Sequence, residues 1–274
     1  MLRDVLVHLA NGVSDDAALD HAVSLAQAFE AHLAGAAFAD EIPPALILNG
    51  APPEWLDRYR AEARDSAKSA VARCEAAAKR AGISVQAGWM PTPVTGAANL
   101  FARIARRFDL SVVRQADPGK DSLAPLIIEA ALFETGRPAL VVPCAQKAGL
   151  ALDRVMIGWD GSASATRAIG DAMPFLQRAK AVQLVTVVGH GNDGELAGAE
   201  IAQHLGRHRV PVEVKEIVAP NVKPAAALLS HAAETAADLM VIGGYGHSRL
   251  REFVLGGVTR SVLAATTVPT LMSH

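Results

Sequence analysis

Two spacings of apolar residues take turns along this chain. Short continuous apolar runs such as "RVMIGW" at 154 and "AVQLVTVV" at 181 alternate with stretches in which apolar residues recur every third or fourth position. The first spacing suits a strand buried on both faces of a parallel sheet, and the second suits a helix lying on that sheet. In the second half the pattern predicts strands at 154–159, 181–188, 212–220, 238–244 and 268–272. Helices are predicted between them at 163–179, 195–208, 223–236 and 258–265. The first half repeats the scheme from "VLVHLA" at 5 to "ALVVP" at 139, with a long Ala-rich helix at 54–81.

The two halves also share residues. "DVLVHLANGVSDDAALDHAVSLAQ" from position 4 lies over "RVMIGWDGSASATRAIGDAMPFLQ" from position 154, and Ala18 falls on Ala168 and Ala22 on Ala172. Further on, "FDLSVV" at 108 matches "ADLMVI" at 237, so the first half carries about 20 extra residues. The Pro-rich "EIPPALILNGAPPEWLDRYR" from position 41 accounts for them. The fold class expected is α/β, as two tandem Rossmann-like domains at 1–146 and 152–274, each an open five-stranded parallel sheet with helices on both faces.

Composition narrows the partners. A net charge of -2 with 20% charged residues gives no global attraction for nucleic acid or an anionic membrane, so an anion site must be local. No apolar run is long enough for a membrane span, and a cytoplasmic location is expected. Cys74 and Cys144 have neither metal nor redox spacing and are expected as buried thiols.

The chemistry points to the glycines of "VIGGYGHSRLREFVLGGVTRSV" at 241–262. Ligands of open parallel sheets sit beyond the carboxyl ends of the strands, where successive loops diverge. Gly243 and Gly246 follow the fourth strand of the second half, and Gly256 and Gly257 precede the helix that begins near Val258. Bare backbone lets amide groups approach a ligand, and free amides at a helix start favour a phosphate. Asp160, in "GWDGSAS", ends the first strand of the same half and can accept hydrogen bonds from a ribose. Gly161 and Ser162 follow it; Ser162 and Ser164 are expected to support the turn and cap the next helix. His247 and Arg249 place cations inside the glycine loop.

Together, "WDGS" at 159, "GGYGHSRLREFVLGGVTRSVL" at 243 and the closing "VPTLM" resemble the universal stress protein family, specifically in the second half and as a tandem pair over the whole chain. The resemblance implies the adenine nucleotide alpha-hydrolase-like fold and a regulatory role in stress response. It implies ATP or another adenine nucleotide as ligand, with Mg2+ as a candidate companion ion. It also implies Asp160 on the ribose, backbone around Val187 beside the adenine, and Gly243, Gly246, Gly256 and Val258 around the phosphates. The family's hydroxyl after the last glycine is replaced by Gly257, and Thr259 is a candidate substitute. Family members pair through the last strand, so a tandem chain would form that dimer internally, with homodimerisation an addition.

The first half departs from this pattern. Ala10 stands where Asp160 does, and Arg114 and Gln115 stand where the glycines do, so nucleotide binding there is not expected. Gly119-Lys120 lacks the spacing of a phosphate-binding loop, Arg249 breaks the dinucleotide fingerprint begun at Gly244, and Gly-x-Ser-x-Gly does not occur. His204 and His208 share a helix face without a third metal ligand. With no positioned base or nucleophile, the expectation is a non-enzyme with at most slow incidental ATP hydrolysis; a nucleotide-free interaction scaffold is the alternative.

Overall fold

The computed structural model describes residues 2–117, 123–146, 148–189, 198–244 and 257–274. It divides into two compact units, one built on Leu2–Arg137 and the other on Pro138–Gln146 together with Leu150–His274.

In the first unit the order is β1 (Asp4–His8), α1 (Ala17–Phe29), β2 (His32–Asp40), α2 (Pro44–Leu48), α3 (Pro53–Ala81), β3 (Val85–Thr92), α4 (Val94–Ala105), β4 (Leu110–Arg114) and α5 (Ala124–Phe133). Its strands lie in the order β3-β2-β1-β4, and β1 pairs in parallel with both β2 and β4. The extra Pro-rich residues form α2 and the first turns of α3. Pro44 and Pro53 sit at helix starts, where a missing N–H costs nothing.

The second unit begins with β5 (Ala139–Val142). It continues through β6 (Arg154–Gly158), α6 (Ala163–Leu176), β7 (Ala181–Val188), α7 (Gly198–Arg207), β8 (Val212–Val218), α8 (Pro224–Glu234), β9 (Leu239–Gly243), α9 (Gly257–Ala265) and β10 (Thr270–Ser273). The strand order is β5-β10-β9-β6-β7-β8. All neighbours are parallel except β5, which runs antiparallel on β10 with Leu140 opposite Leu271. The α/β architecture expected from the alternating pattern is present. The last strand of the first half is the one that turns antiparallel.

Burial follows position in the sheet. Val155, Ile157, Leu239 and Val241 are at most 1% exposed because β6 and β9 are covered on both faces, as their unbroken apolar runs require. β8 has a strand neighbour on one side only; its "VEVKEIV" is mostly exposed and carries Glu213, Lys215 and Glu216, charges that discourage further strand pairing. Cys74 is buried, whereas Cys144, expected to be buried, is half-buried just beyond β5.

Candidate functional site

β6 has β7 on one side and β9 on the other, so the connections after β6 and β9 leave the sheet in opposite directions. This is the crevice at which open α/β sheets take ligands. The β9–α9–β10 crossover is parallel, so α9 starts at the same carboxyl edge.

The turn after β6 is closed locally. Gly161 has φ 76, a left-handed conformation that favours glycine, and Asp160 Oδ1 accepts from the Ser162 amide at 3.0 Å. Ser162 caps α6, its Oγ accepting from the Ala165 amide at 3.1 Å and lying 3.0 Å from Ser164 Oγ, as its place ahead of the helical pattern predicts. Asp160 itself is exposed at the rim. The preceding Trp159 is buried, and its indole Nε1 has no hydrogen-bond partner among the described residues.

Gly243 ends β9. A Cβ there would lie 2.5 Å from the Ala165 amide nitrogen and 2.7 Å from Ser164 Oγ, so its bareness lets the start of α6 pack against the end of β9. Gly244 donates its amide to the Ser273 carbonyl at 2.8 Å, extending the β9–β10 ladder. Gly257 opens α9, and a Cβ on it would meet no described residue within 4 Å. Val258 is 37% exposed, whereas Thr259 is buried on the inward face of α9 with Val262. Val187 is half-buried on β7, opposite Ile217 of β8. Gly246, His247, Arg249 and Gly256 lie outside the described residues.

The structure therefore brings Asp160, Gly161, Ser162, Val187 and Gly243 to one edge through the shared register of β6, β7 and β9, and topology adds Gly257 and Val258. Trp159 stands in the "WDGS" motif of the sequence but carried no expected role there.

The same edge of the first unit is filled. Register makes His8 the counterpart of Gly158 and Phe38 that of Val187. His8 is buried, stacks on Phe38 at 5.8 Å and meets Phe101 edge-on at 5.9 Å. Asn11 Nδ2 donates to the Phe38 carbonyl at 2.5 Å, and Arg73 Nη2 donates to the Ala10 carbonyl at 2.8 Å. The connection from β1 to α1 spans residues 9–16, about one helical turn more than residues 159–162 after β6. Asp16, at its end, accepts from the amides of Ala10 at 3.2 Å and Leu19 at 3.4 Å. Burial raises the pKa of Asp16 above the usual carboxylate value, against these amide bonds and the Arg114 charge, which lower it.

Among the described residues no group of three or more His, Cys, Asp or Glu could hold a metal; His204 and His208 on α7 have ring centroids 4.7 Å apart. Nor is any described helix long and apolar enough to cross a membrane.

Residues 151–274 match the model of the universal stress protein family. The second half of this chain is therefore similar to the universal stress protein family. A universal stress protein of Synechocystis sp. is 28% identical over 138 residues, which is 49% of this chain; the match spans about half of that relative, 46% of its length. A solved universal stress protein from Archaeoglobus fulgidus covers 98% of this chain and 97% of its own with a TM-score of 0.71 at 16% identity, a likeness of fold from end to end. Another, a universal stress protein solved in complex with cAMP, is 25% identical over 44% of this chain and 96% of its own, with a TM-score of 0.35.

Proposed function

We propose that residues 152–274 bind ATP or a related adenine nucleotide, and that the chain is a cytoplasmic stress-response regulator rather than an enzyme. Residues 1–146 form a degenerate domain of the same design in this reading. The observation that carries it is the exposed Asp160 carboxylate, held by a glycine turn at the crevice beside β9, on the edge where α9 begins.

The described residues fit such a ligand. Asp160 would accept from ribose hydroxyls, and backbone around Val187 would lie beside the adenine. The first amides of α9, at Gly257 and Val258, would take phosphate oxygens with the help of the helix dipole. No described residue crowds a Cβ position at Gly257, and Trp159 Nε1 offers a buried donor without a partner among the described residues. Gly243, Gly246 and Gly256 complete the phosphate loop, His247 and Arg249 supply its cations, and Mg2+ is a companion ion whose need the nucleotide panel tests. Nucleotide occupancy would report nucleotide status to a partner. An intramolecular pseudo-dimer belongs to the same reading.

A thermal-shift panel of ATP, ADP, AMP and GTP, each with and without Mg2+, tests the reading. A nucleotide at a hundred times its Kd stabilises the folded state by about 2.7 kcal/mol. Adenine nucleotides are expected to stabilise the wild type, and Asp160→Ala or Gly246→Val to abolish that shift while melting normally without ligand. Equal shifts in all three proteins reject the site. The missing hydroxyl at Gly257 favours a second reading, a nucleotide-free interaction scaffold. Native mass spectrometry separates the two, since a co-purified mass of an adenine nucleotide excludes the scaffold.

A further inference from the structure

We infer that His274 is a positioning residue for the phosphate end of the proposed nucleotide site: from a footing on α6 it holds the Gly244 carbonyl and fixes where the chain leaves β9 for the glycine loop. Its functional consequence rests on the nucleotide reading; its geometry does not.

Strand pairing brings the parts together. β10 lies beside β9 with Ser273 opposite Gly243, so His274 falls beside Gly244 at the carboxyl edge of the sheet. Gly244 has no side chain, so its backbone groups are the only handles it offers, and both are held. Its amide donates to the Ser273 carbonyl at 2.8 Å, and its carbonyl lies 3.1 Å from His274 Nδ1. A carbonyl only accepts, so Nδ1 carries the proton and donates.

The footing is on α6. Ser273, 1% exposed, donates from its Oγ to Asp171 Oδ2 at 2.8 Å, and Arg167 Nη1 donates to the His274 carbonyl at 3.2 Å. Arg167 and Asp171 stand four residues apart, on one face of the helix. The same helix is capped by Ser162, whose amide is bound by Asp160, and its Ser164 and Ala165 pack against Gly243. One helix therefore sets both the ribose carboxylate and the point at which the glycine loop begins. Without the histidine bond, binding a phosphate would have to fix the Gly244 carbonyl as well, at a cost in affinity.

Two measurements on the full chain test this, each on wild type, His274→Ala and His274→Asn. Asparagine carries its N–H donor on the atom next to Cγ, as the histidine does, so it keeps the bond to Gly244 and alanine removes it. His274 is exposed, so both variants are expected to melt as wild type does without ligand. In ligand-free protein, hydrogen exchange at the Gly244 amide, read by NMR, is expected to be about fivefold faster in His274→Ala and to return to the wild-type rate in His274→Asn. In titration with ATP, the affinity is expected to fall about fivefold in His274→Ala and to recover in His274→Asn. Unchanged exchange in His274→Ala, or failure of asparagine to restore it, overturns the inference whatever the nucleotide result. Equal ATP affinities in the three proteins overturn it too and leave the nucleotide reading standing. A wild type that binds no ATP rejects the nucleotide reading instead, and exchange alone then decides whether His274 holds Gly244.

Discussion

Gly243 at the end of β9 and Ser164 in the first turn of α6 approach so closely that a Cβ on the glycine would lie 2.7 Å from the serine Oγ and 2.8 Å from its carbonyl carbon. Backbone cannot swing aside as a flexible side chain can. Gly243→Ala is therefore expected to destabilise the second unit by about 1–3 kcal/mol, the cost of overpacking a tight contact. Gly257→Ala, where a Cβ meets no described residue, should change stability by no more than about 0.5 kcal/mol. Chemical denaturation of both variants checks the contrast, and a Gly243→Ala protein as stable as wild type would remove this account of the glycine.

Gly243 also shows what a sequence leaves hidden. Its place after a strand pointed to the rim of the sheet, and the structure puts it there. Its contact with residues 164 and 165 joins positions far apart in the chain, so no local spacing announces it. Strand and helix order were legible because buried parallel strands are continuous apolar runs and their helices are amphipathic, two patterns that do not mimic each other. The filled edge of the first unit was half legible. Ala10 in place of Asp160 was seen, but His8 at the position equivalent to Gly158 and Phe38 at that equivalent to Val187 needed the structure to be recognised as plugs. The hold of His274 on Gly244 was illegible, because it joins residues 30 positions apart through the pairing of two strands.

Restoring the family's hydroxyl should strengthen the proposed nucleotide site. Gly257 begins α9, and no described residue lies within 4 Å of a Cβ placed there, so a serine displaces none of them. A hydrogen bond to a charged acceptor contributes about 1.5–3 kcal/mol, which is about tenfold or more in affinity. Titration of ATP into Gly257→Ser is expected to give that gain over wild type. Thr259 is a poor substitute donor, being buried on the inward side of the same helix. Unchanged ATP affinity would show that the serine hydroxyl does not reach the phosphates.

Asp16 makes the first unit pH-sensitive in a direction opposite to most carboxylates. Burial holds its folded pKa above the ordinary carboxylate value of 3.8, so the folded chain keeps a proton that the unfolded chain has released. Between 3.8 and the raised folded value, stability attributable to Asp16 falls as pH rises; it is fully present below the window and lost above it. Asp16→Asn lacks this component. The Tm of wild type relative to the variant should therefore decline as pH is raised through the window, and parallel Tm profiles would sink the assignment.

The two cysteines should differ in reactivity, since the thiolate is the nucleophile in alkylation. Cys74 is buried on α3, and desolvation first, then the charges of Asp16 and Glu75, push its thiol up to about 12. At pH 8 it is almost wholly protonated as well as inaccessible. Cys144 is half-buried beyond β5, so it is the more accessible of the two. Iodoacetamide on the native chain, read by peptide mass spectrometry, is expected to modify Cys144 and leave Cys74 intact until the protein is unfolded. Native labelling of Cys74 at a comparable rate would mean that α3 opens from β2 far more readily than its buried Ala67, Ala70 and Ala78 imply.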